Sequence, residues 1–329
     1  MTTPSRILLR SPQGLEAELT AFGARLLALR VPDRDGRLAD VALGTDDPDA
    51  VHGRSSYFGA TCGRFANRIR DGRFVLDGVE HRLSVNEGST HLHGGVVGFD
   101  RSWWSAQVEP SGRAVEFTLT SPDGDQGYPG ALTAHVRYAL EGKALRIAMT
   151  ATTSATTIVN LANHAYWNLS GDGNADMLDH DVTIHATHWL PVDERLIPTG
   201  EIRTVDGGAF DFRAGRRMSE ALAARPEGFD HCLVVEGPAG RLRPVARVLH
   251  AGTGRGFELY ADQPGLQFYT CMHFGEGLAG KAGALYRRFA GLVFEPQGYP
   301  DAPNQPGFPS ARLAPGEVYR QALEYRFFW

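Results

Sequence analysis

The chain has 329 residues, of which 42% are hydrophobic and 22% are charged, as in folded globular proteins and unlike disordered or fibrous ones. Its formal net charge of −5 gives no electrostatic support for binding nucleic acid or an acidic membrane. A chain of this length buries enough surface to be stable without disulfides or a structural metal.

The cysteines and the N-terminal residues bear on the compartment. Cys62, Cys232 and Cys271 are an odd number without CxxC spacing, so neither a disulfide framework nor a thiolate zinc site is expected. The first residues form no apolar signal segment, and no run approaches the roughly 20 apolar residues that span a bilayer. These features predict a cytoplasmic protein and leave open whether it is a monomer or a homodimer.

Short apolar or alternating runs separated by turn residues recur along the whole chain and predict β-strands. In RFVLDGVEHRLSV, the pair Asp77-Gly78 predicts a two-residue hairpin turn. A second hairpin is expected over Tyr138–Met149, broken at Glu141-Gly142. The other predicted strands are, in chain order, RILLR, RLLALRV, AVEFTLT, LTAHVRYAL, RVLHAG, GFELYAD, LQFYT and GLVFEP.

Helical periodicity is scarce, since the best helical stretch is the short one around Met218 to Ala224. A dozen or more strands without long helices are most easily buried as two stacked sheets, so the sequence predicts an all-β fold, a large β-sandwich. No linker, low-complexity tract or fixed-period repeat divides the chain. We therefore expect one domain over residues 1–329.

Two histidines in the motif HLH allow a metal hypothesis. If the segment is extended, His91 and His93 project from the same face, and His164 or Glu295 would complete a zinc site. The alternative is one buried, hydrogen-bonded histidine beside a histidine with another role. No CxxC or HExxH motif supports the metal interpretation.

An acid and base pair is the stronger hypothesis. His164 lies among apolar and aromatic residues in LANHAYWNL, where burial would keep it near neutral and able to exchange protons. Glu295 ends the apolar run LVFEPQ, and a carboxylate in a buried strand must be paired or functional. In one pocket they would form a general acid and a general base. A satisfied core histidine and a salt bridge to an arginine are the structural alternatives.

Other side chains have the chemistry of a sugar site, which combines flat apolar surfaces with directional hydrogen-bonding groups. The candidate aromatic residues are Tyr166, Trp167 and Phe268, and the candidate polar residues are Asn67, Arg68, Asp230 and Gln267. Taken singly, each of these residue types is also common in cores or on solvated surfaces. The set therefore favours a sugar only in combination with the acid and base pair.

Ten segments of the chain resemble the aldose 1-epimerases, or galactose mutarotases, and they occur in the family's order. They are YFGATCGRFANRI (57–69), HLHGGVVGFDRSWW (91–104), DQGYPG (125–130), TIVNLANHAYWNLSG (157–171), DERLIPTGEI (193–202), FDFR (210–213), FDHCLVV (229–235), PGLQFYT (264–270), FEPQGYPDAPN (294–304) and LAPGEVY (313–319).

This resemblance implies a large antiparallel β-sandwich with few short helices and a cofactor-independent isomerase. The reaction would interconvert the α and β anomers of a free aldohexose such as glucose or galactose. Glu295 would be the base that takes the proton of the C1 hydroxyl, His164 the acid at the ring oxygen, and His93 an assisting group. His91 would be structural. The residues that would bind sugar hydroxyls are Asn67, Arg68, Asp230 and Gln267.

One segment departs from the family pattern. After QFYT the family usually continues with Gly-Asn, whereas this chain has Cys271, Met272 and His273, so substrate preference is the property in question. The first alternative is a relative acting on a phosphorylated or unusual sugar, with Arg68 gripping the phosphate. The others are a non-catalytic sugar-binding module on the same fold and a zinc-dependent enzyme.

Overall fold

The computed structural model describes residues 6–46, 57–171, 173, 175–275 and 277–329. In chain order the first strands are β1 (Ile7–Arg10), β2 (Glu16–Thr20), β3 (Arg25–Pro32), β4 (Leu38–Asp40), β5 (Thr61–Cys62), β6 (Arg68–Ile69), β7 (Arg73–Leu76), β8 (Val79–Arg82), β9 (His91–Leu92), β10 (Ser105–Val108), β11 (Ala114–Ser121), β12 (Leu132–Glu141), β13 (Ala144–Thr153), β14 (Thr157–Ile158) and β15 (Ala162–Asn163). They are followed by β16 (Tyr166–Trp167), β17 (His180–Ile184), β18 (Ala186–Trp189), β19 (Arg203–Thr204), β20 (Arg216–Arg217), β21 (Asp230–Val235), β22 (Arg243–His250), β23 (Gly256–Ala261), β24 (Gly265–Tyr269), β25 (Leu278–Ala279), β26 (Leu285–Tyr286), β27 (Leu292–Gln297), β28 (Arg312–Leu313) and β29 (Tyr319–Phe328).

Helical structure is sparse in the part of the chain that the structure describes. Its one α-helix, α1, spans Met218–Ala224, where the sequence predicted the best helical stretch. Short 3-10 turns occupy Arg70–Gly72, Phe99–Arg101, Asp125–Gly127, Lys281–Gly283 and Ala302–Asn304. Among the described residues, no helix has the length and apolar character needed to span a membrane.

Three larger sheets contain most of the strands. The largest has nine strands in the order β10-β11-β12-β13-β29-β23-β22-β17-β20, and the second has six in the order β16-β27-β24-β21-β18-β19. Strands β1 to β4 form a four-stranded sheet, and the remaining strands pair two by two. Neighbouring strands in the two largest sheets run antiparallel. The predicted all-β, antiparallel fold is confirmed.

The nine-stranded and six-stranded sheets face each other across an aromatic core. Phe257 of β23 lies 5.9 Å from Phe294 of β27, ring centre to ring centre, and Trp167 of β16 lies 4.8 Å from Tyr325 of β29. Along β12, alternate residues from Leu132 to Tyr138 are buried, as expected for a strand with one face on a core. The main core cluster extends from Leu9 to Phe327. One domain over residues 1–329 remains a prediction.

Both predicted hairpins form. Strands β7 and β8 pair through Asp77 and Gly78, whose φ angles of 49° and 84° are the left-handed pair that a two-residue hairpin turn requires. Strands β12 and β13 pair along ten residues each, with the turn at Gly142.

Strand β27 positions the functional site because both of its faces are covered. All six of its residues are buried, and Phe294 points toward the nine-stranded sheet. Since side chains alternate along a strand, the neighbouring Glu295 points to the opposite face of the six-stranded sheet.

Candidate active site

A cavity of about 270 Å³ lies over that opposite face of the six-stranded sheet. The sheet contributes Tyr166, Asp230, Tyr269 and Glu295, and the segments that cover the sheet contribute the rest of the wall. The described residues that line the cavity are Tyr57, Asn67, Arg68, Glu87, Leu92, His93, His164, Tyr166, Leu196, Asp230, Tyr269, His273, Phe274 and Glu295.

Glu295 and His164 meet at the wall of this cavity. His164 Nε2 lies 3.5 Å from Glu295 Oε1, and both side chains are almost completely buried. His164 stands between β15 and β16, where its backbone N–H donates to Ala60 O and its carbonyl accepts from Gly59 N. Its ring lies between the rings of Tyr57 and Tyr166, with centre distances of 5.6 and 4.8 Å. The imidazole is therefore held firmly beside the carboxyl group.

Burial shifts both groups toward their neutral forms. It lowers the pKa of His164 to about 4 and raises the pKa of Glu295 well above its ordinary value. The negative charge of Asp230 raises the pKa of Glu295 further, whereas the positive charge of Arg68 lowers it. Glu295 Oε2 and His164 Nδ1 have no hydrogen-bond partner among the described residues. The pair is thus an acid and a base in reach of whatever occupies the cavity.

The motif HLHGG turns sharply at its second histidine. Strand β9 ends at Leu92, and His93 has a φ of 50°, in the left-handed region. The following Gly94 has a φ of 93°, and a Cβ there would come within 1.8 Å of Gly63 O, so only glycine fits. His93 consequently lines the cavity, with its ring centre 5.2 Å from that of His164.

His91 faces elsewhere. Its Nδ1 lies 2.6 Å from Ser84 O and its Nε2 lies 2.6 Å from Tyr128 Oη, so both ring nitrogens are occupied. Burial lowers the pKa of His91 to about 4. The expectation that an extended HLH segment would present both rings on one face was wrong, because His93 leaves the extended conformation.

A row of charged side chains borders Glu295 and His164. Arg68 of β6 donates from Nε and Nη2 to the two carboxylate oxygens of Glu87, at 2.6 and 3.0 Å, and its Nη1 lies 3.8 Å from Asp230 Oδ2. Gln267 Nε2 donates to Asp230 Oδ1 at 2.6 Å. Burial opposes the ionisation of Asp230, but the contacts with His273, Arg68 and Gln267 together lower its pKa.

The comparison with known families identifies the chain. A family model described as aldose 1-epimerase matches residues 5–326. The chain belongs to the aldose 1-epimerase family.

Curated proteins and solved structures agree with this assignment. Galactose mutarotase of Bos taurus is 46% identical, covering 99% of this chain and 94% of the relative, and aldose 1-epimerase of Escherichia coli K12 is 36% identical, covering 98% and 95%. The aldose epimerase homologue of C. elegans superposes with a TM-score of 0.92 at 31% identity, covering 99% of both chains. Galactose 1-epimerase of Lactobacillus acidophilus gives a TM-score of 0.84 at 28% identity, covering 98% and 94%.

Three predictions from the sequence are thereby confirmed: the aldose 1-epimerase family, its β-sandwich fold, and an isomerase that acts as a mutarotase. The alternative of a non-catalytic sugar-binding module is correspondingly disfavoured.

The structure brings most of the predicted site residues of this family member together. Of the seven, six line one cavity: Asn67, Arg68, His93, His164, Asp230 and Glu295. The seventh, Gln267, is not among the lining residues. It lies beside the site, opposite Glu295 in the register of β24 and β27, where its amide holds Asp230.

Two of the three aromatic residues proposed for a sugar surface face the core instead. Trp167 packs on Tyr325, and Phe268 stacks on Phe294 at 5.2 Å. Tyr166 does line the cavity. The residue after Phe268, Tyr269, lines it as well, because adjacent strand residues point to opposite faces. The sequence places two aromatic residues side by side, and the orientation of the strand decides that Tyr269 faces the cavity.

Sequence reasoning missed Tyr57, Glu87, Leu92, Leu196, Tyr269, His273 and Phe274 as lining residues. His273 lies in the segment that departs from the family pattern, and its Nε2 is 3.8 Å from Asp230 Oδ2. That departure was the one signal in the sequence that pointed to it. The other two residues of the segment do not line the cavity, since Cys271 is buried in an apolar cluster to which Met272 adds.

Three of these side chains also carry atoms that could bind a metal ion. Ligand atoms of His93, His164 and Glu295 lie within 4.8 Å of one another. However, His93 Nδ1 accepts the backbone N–H of Asn67 at 3.2 Å, so the proton of the neutral ring lies on Nε2. Burial and the nearby positive groups lower the pKa of His93 and keep it neutral. A metal at Nε2 would displace that proton and oppose the Asn67 hydrogen bond, so the geometry favours a hydrogen-bond donor over a metal ligand.

Proposed function

We propose that this mutarotase acts on a free, uncharged aldohexose, such as galactose or glucose, with Glu295 as the base and His164 as the acid. The observation that supports these roles is the contact of 3.5 Å between the two buried groups at the wall of the cavity. Ring opening removes one proton from the C1 hydroxyl and adds one to the ring oxygen, so it needs this pair and no other reagent.

In the proposed mechanism, the carboxylate of Glu295 takes the proton of the C1 hydroxyl while the bond between C1 and the ring oxygen breaks. Protonated His164 delivers a proton to the ring oxygen, and the open-chain aldehyde forms. After rotation about the C1–C2 bond, the hydroxyl attacks the other face of the aldehyde. His164 then recovers its proton, Glu295 returns the proton to O1, and the opposite anomer leaves.

The free site holds one proton between the two groups, because burial favours protonated Glu295 beside neutral His164. Ring opening needs that proton on His164. The charge of Arg68 favours the carboxylate form of Glu295, and a sugar hydroxyl donating to that carboxylate adds to the effect. Bound sugar thus favours the reactive form of the pair, in which Glu295 is a carboxylate and His164 carries the proton.

His93 is proposed to donate from Nε2–H to the ring oxygen or to a neighbouring hydroxyl. The support is its tautomer, which the Asn67 N–H selects, together with its position in the cavity next to His164. Asn67, Arg68, Asp230 and Gln267 are proposed to bind hydroxyls, with Gln267 acting through Asp230.

A phosphorylated sugar is the less favoured substrate. Arg68 is the one lysine or arginine among the described lining residues, and its guanidinium already faces the carboxylates of Glu87 and Asp230. A phosphate would have to displace one of them. Hydroxyl groups, in contrast, can both donate to these carboxylates and accept from the guanidinium.

Polarimetry on freshly dissolved α-D-galactose and α-D-glucose tests the proposal. Protein dialysed against a chelator should accelerate the approach to anomeric equilibrium, and the two rates rank the sugars. No acceleration with either sugar, but acceleration with galactose 6-phosphate, would establish the phosphorylated alternative. Acceleration that disappears on dialysis and returns with zinc would establish a metal enzyme.

We propose the cytoplasm as the compartment. The support is that all three cysteines are free and buried, as in proteins of a reducing environment. A fluorescent fusion observed in the source cells tests it. Sedimentation equilibrium distinguishes the monomer from the homodimer.

A further inference from the structure

At the outer wall of the cavity, the guanidinium of Arg68 is paired with the carboxylate of Glu87. Arg68 is nearly buried, with 8% of its side chain exposed, whereas its partner Glu87 is 42% exposed. The two hydrogen bonds from Nε and Nη2 form the bidentate arrangement by which arginine binds carboxylates and phosphates. Glu87 therefore occupies the Nε–Nη2 edge of the guanidinium, where an anionic ligand would otherwise bind.

The other titratable groups near Arg68 do not add positive charge that would offset the two carboxylates. Asp230 is the second carboxylate beside Arg68, at 3.8 Å from Nη1. His93 and His164 are neutral, because burial lowers their pKa values. His273 lies on the far side of Asp230, with its Nε2 3.8 Å away. The carboxylates of Glu87 and Asp230 thus face the one guanidinium of Arg68, so an anionic sugar would enter a cavity that already carries negative charge.

The backbone of Glu87 is held by contacts other than the one with Arg68. Its segment is a tight turn in which Glu87 N donates to Thr90 O and Thr90 N donates to Glu87 O. The amide side chain of Asn86 also ties the turn to Leu92 and Gly95, so the backbone is held by bonds that do not involve the Glu87 carboxylate. Removing the charge of Glu87 should therefore leave the loop in place and change only the electrostatics of the cavity.

We propose that Glu87 is a specificity-determining residue that restricts the site to uncharged aldoses, because it occupies and neutralises the guanidinium of Arg68. This inference rests on the proposed function of the cavity. Its consequence is that loss of the Glu87 charge makes Arg68 available to an anionic aldose, such as a uronic acid or a sugar phosphate.

The experiment compares D-galacturonate with D-galactose, which differ in the charge at C6. The variant Glu87→Gln keeps the size of the side chain and one acceptor oxygen but removes the charge. We expect the ratio of kcat/KM for galacturonate to that for galactose to rise at least tenfold, which corresponds to about 1.4 kcal/mol. The rise should shrink in 0.5 M sodium chloride, since salt screens charges near the surface.

Two further variants serve as controls. Glu87→Asp keeps the charge and should keep the wild-type ratio, so an equal rise in this variant would make the effect steric and overturn the proposal. Glu80→Gln removes a carboxylate of the β8 hairpin, which pairs with Arg82 at 2.8 Å, and should leave the ratio within twofold. If the ratio of kcat/KM values in Glu87→Gln stays within twofold of the wild-type ratio, the proposal is also overturned.

Calorimetric titration of both sugars separates this proposal from the proposed function. If the wild type binds galactose without accelerating its mutarotation, the catalytic proposal fails while the ratio of dissociation constants still tests Glu87. If the wild type binds neither sugar, both proposals fail.

Discussion

Replacement of Glu295 by glutamine should separate catalysis from folding. Glutamine has the size of glutamate but cannot take the proton of the C1 hydroxyl. A positioned general base typically contributes about 10²–10⁴ in rate, so we expect kcat to fall by that factor, or about 2.7–5.4 kcal/mol in activation free energy.

The fold should tolerate this change. Glu295 Oε2 has no hydrogen-bond partner among the described residues, and burial raises the pKa of the carboxyl group and so favours its neutral form. A neutral glutamine therefore suits the buried position and breaks no hydrogen bond made by that oxygen. The melting temperature should stay within about 2 °C of the wild type, the shift produced by roughly 1 kcal/mol in a protein of this size.

Polarimetry with α-D-galactose gives the rate after subtraction of the spontaneous reaction, and circular dichroism gives the melting curve. Glu109→Gln is the control, because it removes an exposed carboxylate that accepts from Arg137 on the nine-stranded sheet. A folded Glu295→Gln protein with kcat within tenfold of the wild type would refute the assignment of the base.

Three more predictions concern pH, affinity and stability. The acid limb of the pH profile of kcat/KM should lie near pH 4, because burial lowers the pKa of His164 to about 4. When His164 is protonated while Glu295 is also protonated, the site has no base left. A limb near 6.5, the ordinary pKa of histidine, would contradict this. Arg68→Ala should raise KM at least tenfold with a smaller effect on kcat, and steady-state kinetics showing a large fall of kcat at constant KM would instead give Arg68 a role in the transition state. Burial raises the pKa of Asp100 to about 6, above the ordinary value of 3.8, so the folded state binds this proton more tightly than the unfolded state does. The free energy of unfolding should therefore fall by about 3 kcal/mol as pH rises from about 3 to 7. Asp100→Asn should remove this fall in urea titrations, and an unchanged pH dependence would show that another group causes it.

Local sequence patterns are sufficient to predict the fold class and to single out Glu295 and His164. Alternating apolar residues and turn pairs such as Asp77-Gly78 are local signals, and the strands and hairpins form where they predict them. A carboxylate at the end of a continuous apolar run must be buried, so Glu295 was recognisable before its partner was known. The ordered family motifs then pointed to the other members of the site.

Which side chains share the cavity depends on contacts between distant parts of the chain. Whether Phe268 or Tyr269 faces the cavity depends on which side of β24 the nine-stranded sheet covers. Phe268 pairs with Phe294, which contacts Phe257 of the nine-stranded sheet, and these strands are far apart in the chain. His93 leaves the extended conformation and therefore points away from His91. In this position its Nδ1 accepts the backbone N–H of Asn67, which fixes the tautomer of the ring. Glu87 carried no signal in the sequence, because its importance comes from a bidentate contact with Arg68, 19 residues away. Local patterns specify strands and turns, but the meeting of side chains from separate loops depends on how the sheets pack.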